Sequence, residues 1–156
     1  MFRPSPMAWA IEEARKAHQL GEVPVGAVIV SAKGELVSAA HNQVESLQDG
    51  TAHAELLAIR EACQKLSDKW LSDCDLYVTL EPCAQCAGAI ANARLRRLFF
   101  GAYDPKSGGV DHGAAVFSHD NCHHQIEVYG GINEEACSDL LKSFFQERRS
   151  DPNQPF

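Results

Sequence analysis

Three side chains of metal-binding type occur at the spacing of a single site, namely His53, Cys83 and Cys86. The two cysteines are three residues apart, so both sulfurs leave the same face when this segment is helical. Two thiolates at about 2.3 Å from a tetrahedral zinc ion are separated by just under about 4 Å, which one helical turn can supply. Pro82 places the pair at a helix start, where the helix dipole favours the thiolate form that binds metal. We therefore predict that Cys83 and Cys86 bind a metal ion together with His53.

Glu55 lies two residues after His53, near the start of another expected helix. One histidine and two cysteines make three protein ligands, which leaves the fourth tetrahedral position of a zinc ion open for water, as in catalytic zinc sites. Zinc-bound water loses a proton near neutral pH and becomes a strong nucleophile. A carboxylate beside it can accept that proton and return it to a nitrogen of the substrate. These residues therefore predict zinc-dependent hydrolysis with Glu55 as the catalytic acid and base.

The apolar pattern predicts alternating helices and strands that would position these residues. The first helix is expected from Pro6 to Gly21 with Ser5 as N-cap, and the second follows Thr51, which is expected to cap it, with Leu56, Ile59 and Cys63 on its apolar face. Two further helices are expected over 83–94 and from Glu134, the last with an apolar stripe of Leu140, Leu141, Phe144 and Phe145. Strands are expected at 23–30, 35–39, 76–80, 98–101 and 126–129. Strands that alternate with helices indicate the α/β class, with helical layers around one sheet.

Composition is that of an ordinary globular protein, with 45% apolar and 22% charged residues over 156 positions. We expect one domain over 1–156.

No apolar run approaches the about 20 residues that cross a bilayer, and residues 1–10 lack the pattern of a signal peptide. We therefore expect a cytoplasmic protein with no membrane partner, whose six cysteines serve metal binding or packing rather than disulfides. The formal charge of −7 disfavours general nucleic-acid binding but allows a local basic patch.

The order H-x-E followed by P-C-x-x-C is the signature of zinc-dependent nucleobase deaminases. Four stretches resemble the bacterial tRNA-specific adenosine deaminases of the cytidine and deoxycytidylate deaminase superfamily: 22–28 (EVPVGAV), 51–55 (TAHAE), 77–83 (YVTLEPC) and 100–106 (FGAYDPK). The resemblance extends over nearly the whole chain, from about Met7 to Arg149. It implies a three-layer α/β/α cytidine deaminase-like fold around a central mixed sheet of about five strands.

The resemblance also implies an activity, a cofactor and partners. The activity is hydrolytic deamination of adenosine to inosine at the wobble position of a tRNA anticodon. The expected partners are a tRNA anticodon stem-loop and a second copy of the chain, in a homodimer with one Zn²⁺ per subunit. By motif, His53, Cys83 and Cys86 hold the zinc, and Glu55 shuttles protons to the adenine ring and the leaving amine.

Three further residues are assigned to substrate binding by the resemblance. Asn42 matches a residue that hydrogen-bonds the flipped base, the backbone N–H of Ala54 matches a contact to the same purine, and Phe145 is a candidate for base stacking. The chain departs from the family at Gln85, where methionine is expected, and at His41, where a large aromatic residue is common.

Other interpretations remain open at this point. A free-base or nucleoside deaminase of the guanine or cytosine type would use the same zinc and carboxylate. A zinc-stabilised RNA-binding module would need no Glu55, and a Cys–His nucleophile would perform acyl transfer. Basic residues that could contact tRNA phosphates are Arg94, Arg96, Arg97, Lys106, Arg148 and Arg149. The histidines and Cys122 of the loop 112–124 are expected to be exposed polar residues rather than a second metal site.

Overall fold

The computed structural model describes residues 4–151 and 153. The helices are α1 (Pro6–Gln19), α2 (Val44–Leu47), α3 (Ala54–Leu66), α4 (Ala84–Asn92) and α5 (Glu134–Ser150), with a 3₁₀ turn at Val116–Ser118. The strands are β1 (Gly26–Val30), β2 (Leu36–His41), β3 (Asp75–Leu80), β4 (Arg97–Ala102) and β5 (Glu127–Tyr129).

The five strands form one mixed sheet in the order β2-β1-β3-β4-β5. β1 is antiparallel to both of its neighbours, whereas β3, β4 and β5 run parallel. All five residues of β1 are buried, because helices cover both faces of the sheet. Ala27 and Ile29 point to the core shared with α3 and α4, and Val28 points to the core beneath α1 and α5. The expected three-layer α/β/α fold with a mixed five-stranded sheet is confirmed.

Several boundaries differ from the expected ones for local reasons. α1 begins as expected, with Ser5 as N-cap and Pro6 at the first helical position. β1 starts only at Gly26, because Pro24 has no N–H to donate to a sheet partner. α2 is a single turn in a segment for which the sequence predicted no element.

The expected start of α3 is wrong. Thr51 does not cap this helix, since its hydroxyl donates to Asp49 at 2.7 Å, and the N-cap residue is His53. The buried face of α3 also differs from the expected one, because small residues let the helix lie close to the sheet while Leu56 is only half-buried. This buried face consists of Ala54, Glu55, Ala58, Ile59 and Ala62.

The parallel strands β3 and β4 direct two loops to one edge of the sheet. Leu80 pairs with Ala102 at the carboxyl ends of these strands. The chain then enters α4 from β3, and it enters a long loop from β4. Because ligands of open α/β sheets bind outside the carboxyl ends of the strands, this edge is the expected place for a site.

Two adjacent aromatic residues of the last helix, α5, differ in exposure. Phe144 is buried against the body of the protein, whereas Phe145 is 44% exposed. The expected stripe therefore ends at Phe144, and Phe145 is free for an outside contact. Within the described residues, no helix combines the length and the apolar character needed to cross a membrane.

Candidate active site

The three metal-binding side chains predicted from the sequence meet in space. The Nδ1 atom of His53 lies 3.5 Å from the sulfur of Cys83 and 3.5 Å from the sulfur of Cys86. All three atoms lie within 4.8 Å of one another. Ligands at zinc–nitrogen and zinc–sulfur bond lengths in a tetrahedron are separated by about 3.6 Å. The group therefore fits a tetrahedral metal ion that keeps one position open.

Two helix starts bring these ligands together. His53 is the N-cap residue of α3, and Cys83 is the N-cap residue of α4, with Cys86 one turn later. Hydrogen bonds from the Cys86 thiol and the His53 ring lower the pKa of Cys83 to about 4. The hydrogen bond to Cys83 raises the pKa of His53. The site therefore stabilises a thiolate, which is the form of cysteine that binds metal.

Glu55 lies beside this group and is almost completely buried, with 4% of its surface exposed. Burial disfavours the charged carboxylate and raises its pKa to about 7. A carboxyl group with a pKa near neutrality both accepts and releases protons at neutral pH. Its environment therefore suits an acid–base role.

Asn42 lies at the end of β2 and reaches the first turn of α3. Its side-chain oxygen accepts a hydrogen bond from the backbone N–H of Ala54 at 2.8 Å. Since that oxygen is used, the side-chain amide nitrogen of Asn42 is the group left to donate to a ligand. The Ala54 N–H, which was predicted to contact a purine, is already paired.

A cavity of about 260 Å³ opens beside the metal-binding group. It is lined by residues 21–23, 25, 42, 44, 45, 53, 55, 80, 81, 83, 104, 107 and 148. Pockets for drug-sized ligands begin at about 300 Å³, so this cavity suits a single small ring system. One base of a larger molecule would enter it only after leaving its stack.

Comparisons with known proteins agree with this geometry. The model of the MafB19-like deaminase family matches residues 5–149. The tRNA-specific adenosine deaminase of Agrobacterium fabrum is 48% identical over 145 residues, which cover 93% of this chain and 95% of that relative. The chain belongs to the tRNA-specific adenosine deaminase family.

Solved structures place this deaminase in the same fold. A structure from studies of A-to-I editing by tRNA:A34 deaminases at the wobble position of transfer RNA superposes with a TM-score of 0.86 at 47% identity, covering 89% of this chain and 100% of that chain. The guanine deaminase of Bacillus subtilis superposes with a TM-score of 0.63 at 30% identity, covering 100% of this chain and 99% of that chain.

Sequence reasoning misses Glu22 and Glu81, two buried carboxylates that line the cavity of the deaminase. Glu22 accepts hydrogen bonds from the backbone N–H groups of Glu45 and Ser46 at 3.0 and 2.7 Å, and so holds α2 at the cavity. Burial alone would raise the pKa of Glu22, but these bonds outweigh burial and lower it. The sequence signal that could have identified them is an acidic residue directly beside an apolar strand. Such a residue is expected to be buried, and a buried carboxylate needs several hydrogen-bond donors around it.

The basic residues of the deaminase do not form one patch. Arg96 and Arg97 both donate to the buried Asp75, at the end of β3 remote from the metal-binding group. The guanidinium of Arg94 lies 4.0 Å from the ring centre of Trp70. Arg148 lines the cavity and donates to the carbonyl of Gly21 at 2.7 Å. Of these residues, Arg148 is the one placed to meet a ligand of the cavity.

The histidine-rich loop does not assemble a second metal group among the described residues. The rings of His119 and His124 instead lie 2.6 Å from the carbonyl oxygens of Ala114 and Leu95, respectively. The sulfur of Cys122 donates to the carbonyl of His124 at 3.6 Å. These contacts hold the loop to itself and to the segment before β4.

Both departures from the family pattern make local hydrogen bonds. The amide nitrogen of Gln85 donates to the carbonyl of Thr51 at 3.2 Å and lies 3.9 Å from the sulfur of Cys86. A methionine offers no such donor. The Nδ1 atom of His41 lies 2.9 Å from the carbonyl oxygen of Asn42. Gln85 thus links the segment before α3 to the first turn of α4.

Proposed function

We propose that this chain hydrolyses adenosine to inosine at the wobble position of a tRNA anticodon, with a tRNA anticodon stem-loop as its binding partner. The observation that supports this most strongly is the meeting of His53, Cys83, Cys86 and the buried Glu55 beside a cavity of about 260 Å³. The relative from Agrobacterium fabrum adds the substrate, since it is a tRNA-specific adenosine deaminase. The reaction consumes one water and releases one ammonia.

Zinc is the metal that fits this donor set best, with one ion per subunit. Two thiolates and one imidazole are typical zinc ligands, and three protein ligands are typical of catalytic zinc. When bound, zinc would supply Lewis-acid chemistry that makes water nucleophilic at neutral pH. His53, Cys83 and Cys86 would hold it, and the hydrogen bonds around Cys83 already favour its thiolate form.

Glu55 moves the protons of the reaction. Its carboxylate accepts a proton from the attacking water and passes it first to a ring nitrogen of adenine. It then takes the proton of the new hydroxyl group on C6 and passes it to the C6 amino group, so that C6 becomes a carbonyl as ammonia leaves. Burial holds the pKa of Glu55 at about 7, so the group exchanges protons in both directions near neutral pH.

Asn42, Ala54 and Phe145 are proposed to bind the substrate. The side-chain amide nitrogen of Asn42 donates to an acceptor nitrogen of the purine, because its oxygen is held by Ala54. A contact from the Ala54 N–H to the base requires that this bond opens first. Phe145 is exposed one helical turn before the cavity-lining Arg148, which supports a role in stacking on a neighbouring base of the anticodon loop.

A substrate comparison tests the proposal. The zinc-loaded protein is incubated with an anticodon stem-loop carrying a wobble adenosine, with the same stem-loop carrying guanosine there, and with free adenosine, guanine and cytosine. Mass spectrometry should detect inosine only in the first RNA. Turnover of free guanine or cytosine without turnover of the RNA would instead establish the small-molecule alternative.

The homodimer is a separate part of the proposal. Light scattering of the purified protein should give a mass twice the 17.1 kDa of the chain. A monomeric mass under the conditions of full activity would contradict it. The cytoplasmic location is also proposed, because tRNA is modified in that compartment.

A further inference from the structure

We propose that Glu81 is a positioning residue whose buried carboxylate holds residues 104–112 in place as one wall of the cavity, and that this wall sets the affinity for the substrate. The role as part of a substrate site rests on the proposed function. The hydrogen bonds that hold the wall do not depend on it.

The carboxylate of Glu81 is surrounded by donors from this one segment. Its Oε2 atom accepts from the backbone N–H groups of Val110, Asp111 and His112 at 3.3, 3.0 and 3.1 Å. Its Oε1 atom accepts from the N–H of Asp104 at 3.1 Å and lies 2.8 Å from the Nδ1 atom of His112. The Glu81 side chain has no exposed surface. Both ends of the wall are thus attached to a single side chain.

The middle of the segment fits tightly over the same carboxylate. A Cβ atom at Gly108 would fall well inside van der Waals contact with Oε2 of Glu81. The N–H of Gly109 donates to the carbonyl of Pro82 at 2.8 Å, which joins the wall to the start of α4. Asp104 and Ser107 of this segment line the cavity. The position of Glu81 therefore determines where this wall stands relative to the metal-binding group.

A carboxylate is the side chain that suits these donors. Each of its two oxygens accepts from at least two N–H groups, and neither oxygen needs to donate. Glutamine would replace one oxygen with an NH₂ group, which would face N–H donors and lose at least two of the hydrogen bonds. The change E81Q preserves size and shape, so it removes the bonds without opening a cavity.

His112 offers a milder change at the same place. Its side chain is 35% exposed, and its ring is one of the two donors to Oε1. The variant H112A removes that donor and leaves the four backbone N–H groups in place. The variant H112N restores a nitrogen donor near the position of Nδ1. If H112A weakens the affinity for the substrate and H112N restores it, the effect comes from the hydrogen bond rather than from the bulk of the ring.

Hydrogen exchange tests the wall without reference to activity. In E81Q, the amides that face the new NH₂ group, either that of Asp104 or those of residues 110–112, should exchange at least about tenfold faster than in the wild type, because their acceptor is lost. E22Q is the matched control, since Glu22 is also buried at the cavity but holds α2. E22Q should leave exchange at 110–112 unchanged. Unchanged exchange at these amides in E81Q would overturn the inference whatever the activity.

Kinetics then test the effect of the wall on substrate affinity. With the wobble-adenosine stem-loop, KM should rise about tenfold in E81Q and about threefold in H112A, with kcat per bound zinc within about threefold of wild type. H112N should return KM to near the wild-type value. A fall in kcat in proportion to lost zinc or folded protein, with KM unchanged, would reduce Glu81 to a structural residue. If the wild type forms no inosine, the proposed function fails, while the exchange result still decides whether Glu81 holds the wall.

Discussion

The side-chain oxygen of Asn42 accepts a hydrogen bond from the backbone N–H of Ala54, twelve residues later, at 2.8 Å. No side chain at the N-cap position of α3 makes such a bond, so Asn42 satisfies the helix start from a neighbouring strand end. The same bond orients the amide so that its nitrogen is the free donor at the cavity. One side chain thereby stabilises the helix that carries Glu55 and presents a donor to the cavity.

Replacing Asn42 separates these two roles. The variant N42D keeps an acceptor for the Ala54 N–H but loses the donor, whereas N42A loses both. Both variants should lower kcat/KM on the stem-loop by about 10- to 100-fold, the cost of leaving a buried polar group of the purine unpaired. N42A should also lose about 1 kcal/mol of unfolding free energy, as for the loss of a helix cap. Wild-type kcat/KM in N42D would contradict the proposed donor role.

Replacing Glu55 tests the proton shuttle. The variant E55Q should reduce the rate of inosine formation by at least about 10³-fold, because glutamine cannot accept and release a proton. Zinc content, measured by elemental analysis, should stay at one ion per chain, since Glu55 is not among the proposed ligands. The exposed Glu61 on the same helix supplies the control E61Q, which should retain activity. Turnover by E55Q near the wild-type rate would refute the assigned role.

Removing the metal or one of its ligands tests the cofactor. Dialysis against a strong chelator should abolish turnover, and added zinc should restore it. The variant C83S should bind less than one zinc per chain and unfold at lower temperature, because a bound metal stabilises the folded state. C63S is the matched control, since Cys63 lies outside the metal-binding group and should leave zinc content unchanged. Full activity in metal-free protein would exclude the proposed chemistry.

The buried Asp75 is expected to make the free energy of unfolding depend on pH. Burial alone would raise its pKa, but hydrogen bonds from Arg96 and Arg97 outweigh burial and hold the pKa below the ordinary value of 3.8. A carboxyl group with a lowered folded-state pKa contributes stability that is complete above its ordinary pKa and is lost as the pH falls through its folded-state pKa.

The variant D75N should therefore lose about 2 kcal/mol of unfolding free energy at pH 7, the order of hydrogen bonds to charged groups. The difference between wild type and D75N should shrink as the pH falls below about 4. Urea unfolding at pH 7 and at lower pH measures both values. The exposed Asp73 supplies the control D73N, for which the difference should stay small at every pH. A difference in unfolding free energy between wild type and D75N that grows as the pH falls would contradict this prediction.

Local sequence was sufficient for the pair Cys83 and Cys86 and for the fold class. The i, i+3 spacing of Cys83 and Cys86 places both sulfurs on one helical turn whatever the rest of the chain does. The alternation of apolar residues in β3 and the apolar run of β1 similarly depend only on neighbours in sequence. The chemistry of one histidine, two cysteines and one glutamate then restricts the metal and the type of reaction.

Tertiary structure decided the contacts between residues far apart in the chain. Glu81 meets His112 across 31 positions, and Asp75 accepts hydrogen bonds from both Arg96 and Arg97. The same holds for Thr51, whose side chain bonds to Asp49 instead of capping α3. A polar side chain has several possible partners of similar energy, and only the packed sheet and helices determine which one lies within reach. Metal-binding chemistry was therefore readable from residue types, whereas the cavity wall, the orientation of Asn42 and the use of each arginine follow from the packing.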